Sequence, residues 1–125
     1  MRMRTCFLLC FPGLLMAQGA APSRTVDELR TFFAQNCVKC HGADGSARDS
    51  EGKKLRGFDF TDAPKVAGET DADMVKTIRK GIFLGMVMPS FKDRLSEEEA
   101  TRLVRDILRK AEKGKPIAPK PEAAR

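Results

Sequence analysis

Apolar positions along the chain fall into one unbroken block and three periodic stretches. The block runs from Cys6 to Met16, with Arg2 and Arg4 before it and Ala17-Gln18-Gly19-Ala20 after it. A basic start, a short apolar centre and small residues at the end predict a secretory signal over 1–19. The apolar run is about half of the roughly 20 residues that cross a bilayer, and Pro12-Gly13 interrupts it; a retained anchor is the competing reading. Neither Cys6 nor Cys10 follows the small residues of a lipoprotein cleavage site, so both are expected to leave with the signal.

The first periodic stretch opens with Thr25-Val26-Asp27-Glu28, a capping-box pattern, and continues through Val26, Leu29, Phe33 and Cys37 at helical spacing. The second opens at Thr70 and carries Met74, Val75 and Ile78 to Gly81, which is placed to end it. The third opens at Ser96-Glu97-Glu98-Glu99, with acids where they favour the helix dipole, and Ala100, Leu103, Val104, Ile107 and Leu108 form its apolar stripe. Between the first two helices, 42–68 is rich in Gly, Asp and Ser, with Leu55, Phe58, Phe60 and Val66 as its few apolar anchors. A loop this long needs a core from elsewhere. From Lys115 onward prolines are too frequent for a helix and apolar residues too few to pack, which predicts an extended or disordered tail over 115–125. No segment alternates as a strand does. The pattern predicts an all-α domain over 20–114.

Composition narrows the partners. The 125 residues carry a formal charge of +6, which falls to +4 once Arg2 and Arg4 are removed. The basic residues are scattered among seventeen acids, without interleaved aromatics, so nucleic-acid binding is not supported. The charge suits encounters with an acidic protein surface.

The chemistry lies in Cys37-Val38-Lys39-Cys40-His41, because C-x-x-C-H is the spacing that attaches a c-type haem. Two thiols would add across the porphyrin vinyl groups, and the adjacent imidazole would bind the iron. His41 is the chain's one histidine. The sixth iron position is therefore left to a methionine, another weak ligand, an exogenous molecule or nothing. Zinc needs four ligands, usually as two pairs, and a thioredoxin-like pair needs a βαβ setting; the pattern offers neither. A structural disulfide would leave the His-Gly continuation unexplained.

Four segments in order resemble the small single-haem class I cytochromes c, in particular bacterial cbb3-type cytochrome c domains with a Met-Pro ligand loop. They are Cys37-Val38-Lys39-Cys40-His41-Gly42, Gly52-Lys53-Lys54-Leu55-Arg56-Gly57, Gly81 with Met88-Pro89-Ser90-Phe91, and Leu95-Ser96-Glu97-Glu98-Glu99. The resemblance implies a small cytochrome c fold, three main helices with a long loop wrapped around one haem c. It also implies attachment through Cys37 and Cys40, axial ligation by His41 and Met88, and transfer of single electrons. Among the methionines, Met74 falls on a helical apolar stripe, whereas Met86 and Met88 lie in the loop after Gly81 and Pro89 fixes the chain beside Met88. By the same resemblance the carbonyl that orients the ligating imidazole belongs to Lys53, where the family has proline. At the crossing of first and last helices the family often pairs glycine with an aromatic residue; the matching positions are Leu29 and Asp106. Asp106 is expected to face solvent or to pair with Arg30 or Arg102.

The leading function is a monomeric electron carrier of a respiratory chain, periplasmic or secreted after removal of the signal, and not an enzyme. Its partners would be redox proteins: a donor dehydrogenase or cytochrome complex and an acceptor oxidase or reductase. Membrane contact would come only through those complexes, and Lys39, Lys53, Lys54 and Lys92 are candidates to steer the encounter. A second reading is a subunit through which electrons enter a larger dehydrogenase or oxidase; it predicts a large exposed apolar patch, for which the sequence offers few spare residues. An open-site peroxidase or gas sensor is the third and would require that Met88 not bind iron.

Overall fold

A computed structural model describes residues 22–121, so the signal expected over 1–19 lies outside the described residues. Five helices appear in order: α1 (Val26–Asn36), α2 (Val38–His41), α3 (Ala63–Ala67), α4 (Asp71–Lys80) and α5 (Glu97–Arg102). Among the described residues no helix is long and apolar enough to cross a membrane.

The predicted caps are made. Thr25 Oγ1 accepts from Glu28 N at 3.2 Å while Glu28 Oε2 accepts from Thr25 N at 2.7 Å. Ser96 and Glu99 repeat the exchange at α5, at 3.1 and 3.0 Å. Thr70 Oγ1 accepts from Asp73 N at the start of α4, and Gly81 ends that helix at φ 72°. Each satisfies backbone groups that the helix itself leaves open.

Two elements depart from the expected pattern. The loop over 42–68 contains α3, capped by Asp62 with Pro64 in its first turn, and its Val66 is buried. Past Arg102 the last helix widens into a π-helical segment over Leu103–Ile107 and then tightens into a 3-10 turn over Leu108–Lys110. The widened segment is the one that α1 packs against.

Leu29, Phe33, Leu95, Leu103, Val104 and Ile107 are fully buried and form the centre of the core. Asp106 is half-exposed and makes no ion pair within the described residues. Arg30 instead reaches Asp27 and the Ile117 carbonyl, and Arg102 reaches Ser23 and the Arg24 carbonyl. Of the two expectations for Asp106, facing solvent is the one observed. Arg109 donates to Asp71 and to the carbonyls of Val66 and Glu69, which ties α3 and α4 to the last helix.

The C-terminal segment is extended, as its prolines require, but it packs. Ile117 is buried, its N–H donates to the Ala43 carbonyl at 2.8 Å, and its own carbonyl accepts from Arg30. Gly114 N donates to Asp44 Oδ2 at 2.7 Å. The expectation that 115–125 lacks the apolar residues to pack is corrected for Ile117, where one side chain seated beside Gly45 suffices.

Candidate haem site

α1 delivers Cys37 at its C-terminal end, and α2 turns Cys40 and His41 onto the same side. The chain then reverses at Gly42, φ 76°. The long loop is held to the cysteine helix by backbone hydrogen bonds. Ala47 N donates to His41 O at 2.8 Å, Leu55 N to Ala47 O at 2.7 Å and Gly57 N to Cys40 O at 2.7 Å. Gly57 passes so close that an added Cβ would lie 2.3 Å from Cys40 O and 2.6 Å from His41 Nδ1. Only glycine fits there.

That approach places the Phe58 carbonyl 3.0 Å from His41 Nδ1. A carbonyl can only accept, so Nδ1 carries the proton and Nε2 keeps its lone pair. Phe60 stacks on the imidazole with centroids 4.9 Å apart, fixing the ring plane. Burial pushes the His41 pKa down, opposed by the hydrogen bond to Phe58, so the ring is neutral and able to ligate.

The orienting carbonyl is thus Phe58 and not Lys53. The Lys53 carbonyl accepts instead from Asp49 N at 3.0 Å, while Asp49 Oδ1 accepts from Lys53 N at 2.9 Å. The 49–53 turn closes on itself and consumes that carbonyl; the chain reaches His41 only five residues later.

On the opposite side, Gly81 lets the chain after the loop return against the end of α4. Its added Cβ would meet Met88 O at 2.5 Å. Ile82 and Met88 pair their backbones, Ile82 N donating to Met88 O at 3.0 Å, and Ser90 Oγ donates to Arg79 O at 2.6 Å. Met88 is half-buried in consequence.

Cys37, Cys40, His41 and Met88 all line one cavity of about 280 Å³ whose remaining walls are largely apolar. Met74 also lines it, from α4 and as part of the core, while Met86 is 84% exposed and points away from it. Cys37 and Cys40 are not bridged. Burial, with the neighbouring Cys40, pushes the Cys37 thiol up to about 12. Two free thiols, a neutral imidazole with an open Nε2 and a thioether around one apolar cavity fit the donor set of a haem c.

Sequence reasoning missed Arg56, the one Lys or Arg among the described residues that lines this cavity. It makes no ion pair within the described residues and stands next to Gly57, so the close approach of Gly57 also positions it. Its place directly before that glycine was the available signal. Leu55 and Lys39 line a second cleft, between the Gly42 turn and Gly114, rather than this cavity.

The loop between Gly81 and Met88 has a second property. Phe83 and Leu84 take left-handed conformations, φ 49° and 54°, at about 1–2 kcal/mol each for residues with a Cβ. Ile82, Phe83, Leu84, Met86 and Val87 are all exposed, Leu84 completely. The expectation of few spare apolar residues for a surface patch is corrected here: the turn that brings Met88 inward turns the preceding residues out.

The profile of the family described as cytochrome C oxidase, cbb3-type, subunit III matches residues 24–105. The cbb3-type cytochrome c oxidase subunit FixP of Azorhizobium caulinodans is 38% identical over 80 residues, which is 62% of this chain and 25% of FixP. The chain therefore matches only about a quarter of that relative's length. Among solved structures, the KustC0563 c-type cytochrome superposes with a TM-score of 0.54 at 28% identity, covering 67% of this chain and 96% of that one. A single-substitution variant of the same cytochrome gives a TM-score of 0.54 at 28% identity, covering 67% and 98%. With its all-α small cytochrome c fold and a family match running from the first helix into the last, the chain belongs to the cbb3-type subunit III family of c-type cytochromes.

Proposed function

We propose that the chain is a periplasmic single-electron carrier with one haem c, attached through Cys37 and Cys40 and ligated by His41 and Met88. The observation that carries this reading is the convergence of those four side chains on one apolar cavity, with the His41 ring already oriented by Phe58. When bound, the haem supplies one-electron chemistry at its iron. The chain's own residues hold and tune it. Cys37 and Cys40 fix its position, and the Phe58 carbonyl holds the Nδ1 proton and so strengthens Nε2 as a donor. Met88 contributes a soft, neutral sulfur that favours the ferrous state, raising the potential relative to two imidazoles. The apolar walls exclude water. The function proposed is transfer, not catalysis.

The experiment is an optical spectrum of the exported protein, oxidised and reduced, beside Met88→Ala. A covalent haem with a weak near-infrared sulfur-to-iron band that the substitution abolishes is the expected result. Covalent haem without that band, open to carbon monoxide or cyanide, would reassign the chain to the open-site class. Absence of haem would overturn the reading. A second reading, a cytochrome unit held in a larger oxidase, is favoured by the likeness to FixP and by the exposed 82–87 loop.

A further inference from the structure

The C-terminal segment lines no part of the haem cavity, yet it is fastened beside it. Gly114 N donates to Asp44 Oδ2 at 2.7 Å, Ile117 N donates to Ala43 O at 2.8 Å, and Arg30 Nη1 donates to Ile117 O at 3.2 Å. Residues 111–117 therefore form a strap that runs from the end of the last helix, over the 43–45 turn, to α1. Its whole length lies past residue 105, where the family match ends. Pro116 restricts the backbone just before Ile117, which lowers the entropy lost on seating that residue. Across 112–118 only Ile117 is buried, so the strap commits one side chain to the interior.

That side chain meets the haem site from behind. A Cβ built on Gly45 would lie 3.2 Å from Ile117 Cδ1, 3.4 Å from Ala111 Cβ and 3.5 Å from Phe60 Cβ, so all three close on one small space. Gly45 O also accepts from Phe60 N at 2.8 Å. The far end of Phe60 faces the cavity, its ring stacked on His41 with centroids 4.9 Å apart and planes 29° apart. Phe60 is thus rooted in the turn that the strap covers, and its ring bears on the imidazole.

We propose that Ile117 is a positioning residue for the axial imidazole: it wedges against the 43–45 turn and fixes the root of Phe60, and Phe60 passes that constraint to the plane of His41. The inference rests on the haem-carrier reading above and adds the strap to the parts that hold the iron ligand. Truncating Ile117 to alanine removes everything beyond Cβ. Dispersion contacts weaken steeply once a gap of about 1 Å opens, so the root of Phe60 gains room to move. The Phe58 carbonyl still holds Nδ1, and the loss is one of orientation, not of ligation. Two properties of the loaded protein register it. The plane of the imidazole sets how unpaired spin spreads over the ferric haem methyls, and water admitted behind Phe60 stabilises the ferric charge, which lowers the potential.

The test compares holoprotein of wild type, Ile117→Ala, Phe60→Leu and the double variant, by ferric proton NMR of the haem methyls and by redox titration. Ile117→Ala is expected to shift the methyl resonances and lower the potential. Ile117→Val should move both in the same direction by less, and Ile117→Leu, which refills the space, should return both toward wild type. Val75→Ala empties a buried site outside the cavity and should lower Tm while leaving both readouts unmoved. Because Ile117 acts through Phe60, the changes made by Ile117→Ala should vanish in the Phe60→Leu background. Unchanged methyl resonances in Ile117→Ala overturn the proposal. So do changes that persist undiminished in the Phe60→Leu background, or equal changes in Val75→Ala. Absence of covalent haem in wild type would instead refute the haem-carrier reading, which separates the two failures.

Discussion

Replacing Gly57 with alanine tests the link between the loop and the haem helix. The added Cβ would lie 2.3 Å from Cys40 O, and ordinary contact begins at 3.4 Å, so the 56–58 strand must retreat by about 1 Å. The retreat stretches Gly57 N to Cys40 O from 2.7 Å and His41 Nδ1 to Phe58 O from 3.0 Å, both beyond hydrogen-bonding length. Each bond contributes about 1 kcal/mol, and a buried Nδ1–H left without an acceptor costs about 1–3 kcal/mol, so the loss is about 3 kcal/mol. For a domain of this size that corresponds to a fall in Tm of about 12–24 °C. The second consequence is electronic. Without the Phe58 carbonyl, His41 becomes a weaker donor, ferric iron is less stabilised and the reduction potential rises. Thermal melting by far-ultraviolet circular dichroism and a redox titration of the same sample measure both. A Tm within about 4 °C of wild type, with an unchanged potential, would refute the claim that this approach holds the imidazole.

Four further outcomes follow from the same geometry. Ile117→Ala should destabilise the domain by about 2 kcal/mol or more, lowering Tm by about 8 °C or more, because it empties a buried site; a wild-type Tm would mean that the tail is a bystander. Arg56→Gln should lower the reduction potential, since a cation at the cavity disfavours ferric iron, and a redox titration showing no shift would remove Arg56 from the site. In the haem-free protein, Cys37 should alkylate with iodoacetamide about a hundredfold or more slowly than an unhindered thiol at pH 8, because its pKa is raised to about 12; equal rates would refute its burial. The haem-free protein should also lose stability as pH falls. The His41 pKa is depressed in the fold, so the unfolded chain takes up the extra proton below its ordinary 6.5; stability is full above that value and declines beneath it. Melts between pH 8 and 5 on wild type and His41→Gln check the slope, which should flatten in the variant.

What the sequence made legible was local. The C-x-x-C-H spacing and the three capping patterns involve residues within one or two turns of one another, and the structure builds each of the three caps as expected. What it hid depends on where the chain goes between those points. The Phe58 carbonyl serves His41 because the 49–53 turn closes first, a fact of loop register that a family match at Lys53 could not carry. α3 was readable in principle from Asp62 and Pro64, but a five-residue helix has too little periodicity to stand out. Ile117 is one apolar residue among prolines, and its burial depends on the groove beside Gly45, made by distant residues. The sequence reading found few spare apolar residues for a surface patch, and only the left-handed turn at Phe83 and Leu84 shows that the 82–87 run is turned out to solvent.

The two walls of the cavity are held by different means, and this bears on how such a domain can both keep a cofactor and meet a partner. On the His41 side, the loop is bound to the cysteine helix through Ala47, Gly57 and Phe58, and Phe60 stacks on the ring. Every one of those contacts lies within the domain. On the Met88 side, the pairing with Ile82 and the packing against Gly81 fix the base of the 82–87 loop, while Phe83, Leu84 and Met86 at its tip stand largely exposed. The first wall therefore sets the imidazole by contacts of its own, and the second is continuous with the exposed 82–87 loop. A contact at Phe83 or Leu84 reaches Met88 through four or five residues of backbone whose ends are pinned at Ile82 and Ser90. The imidazole side of the cavity is thus set within the domain, whereas a displacement of the exposed 82–87 loop would be felt at Met88 and not at His41.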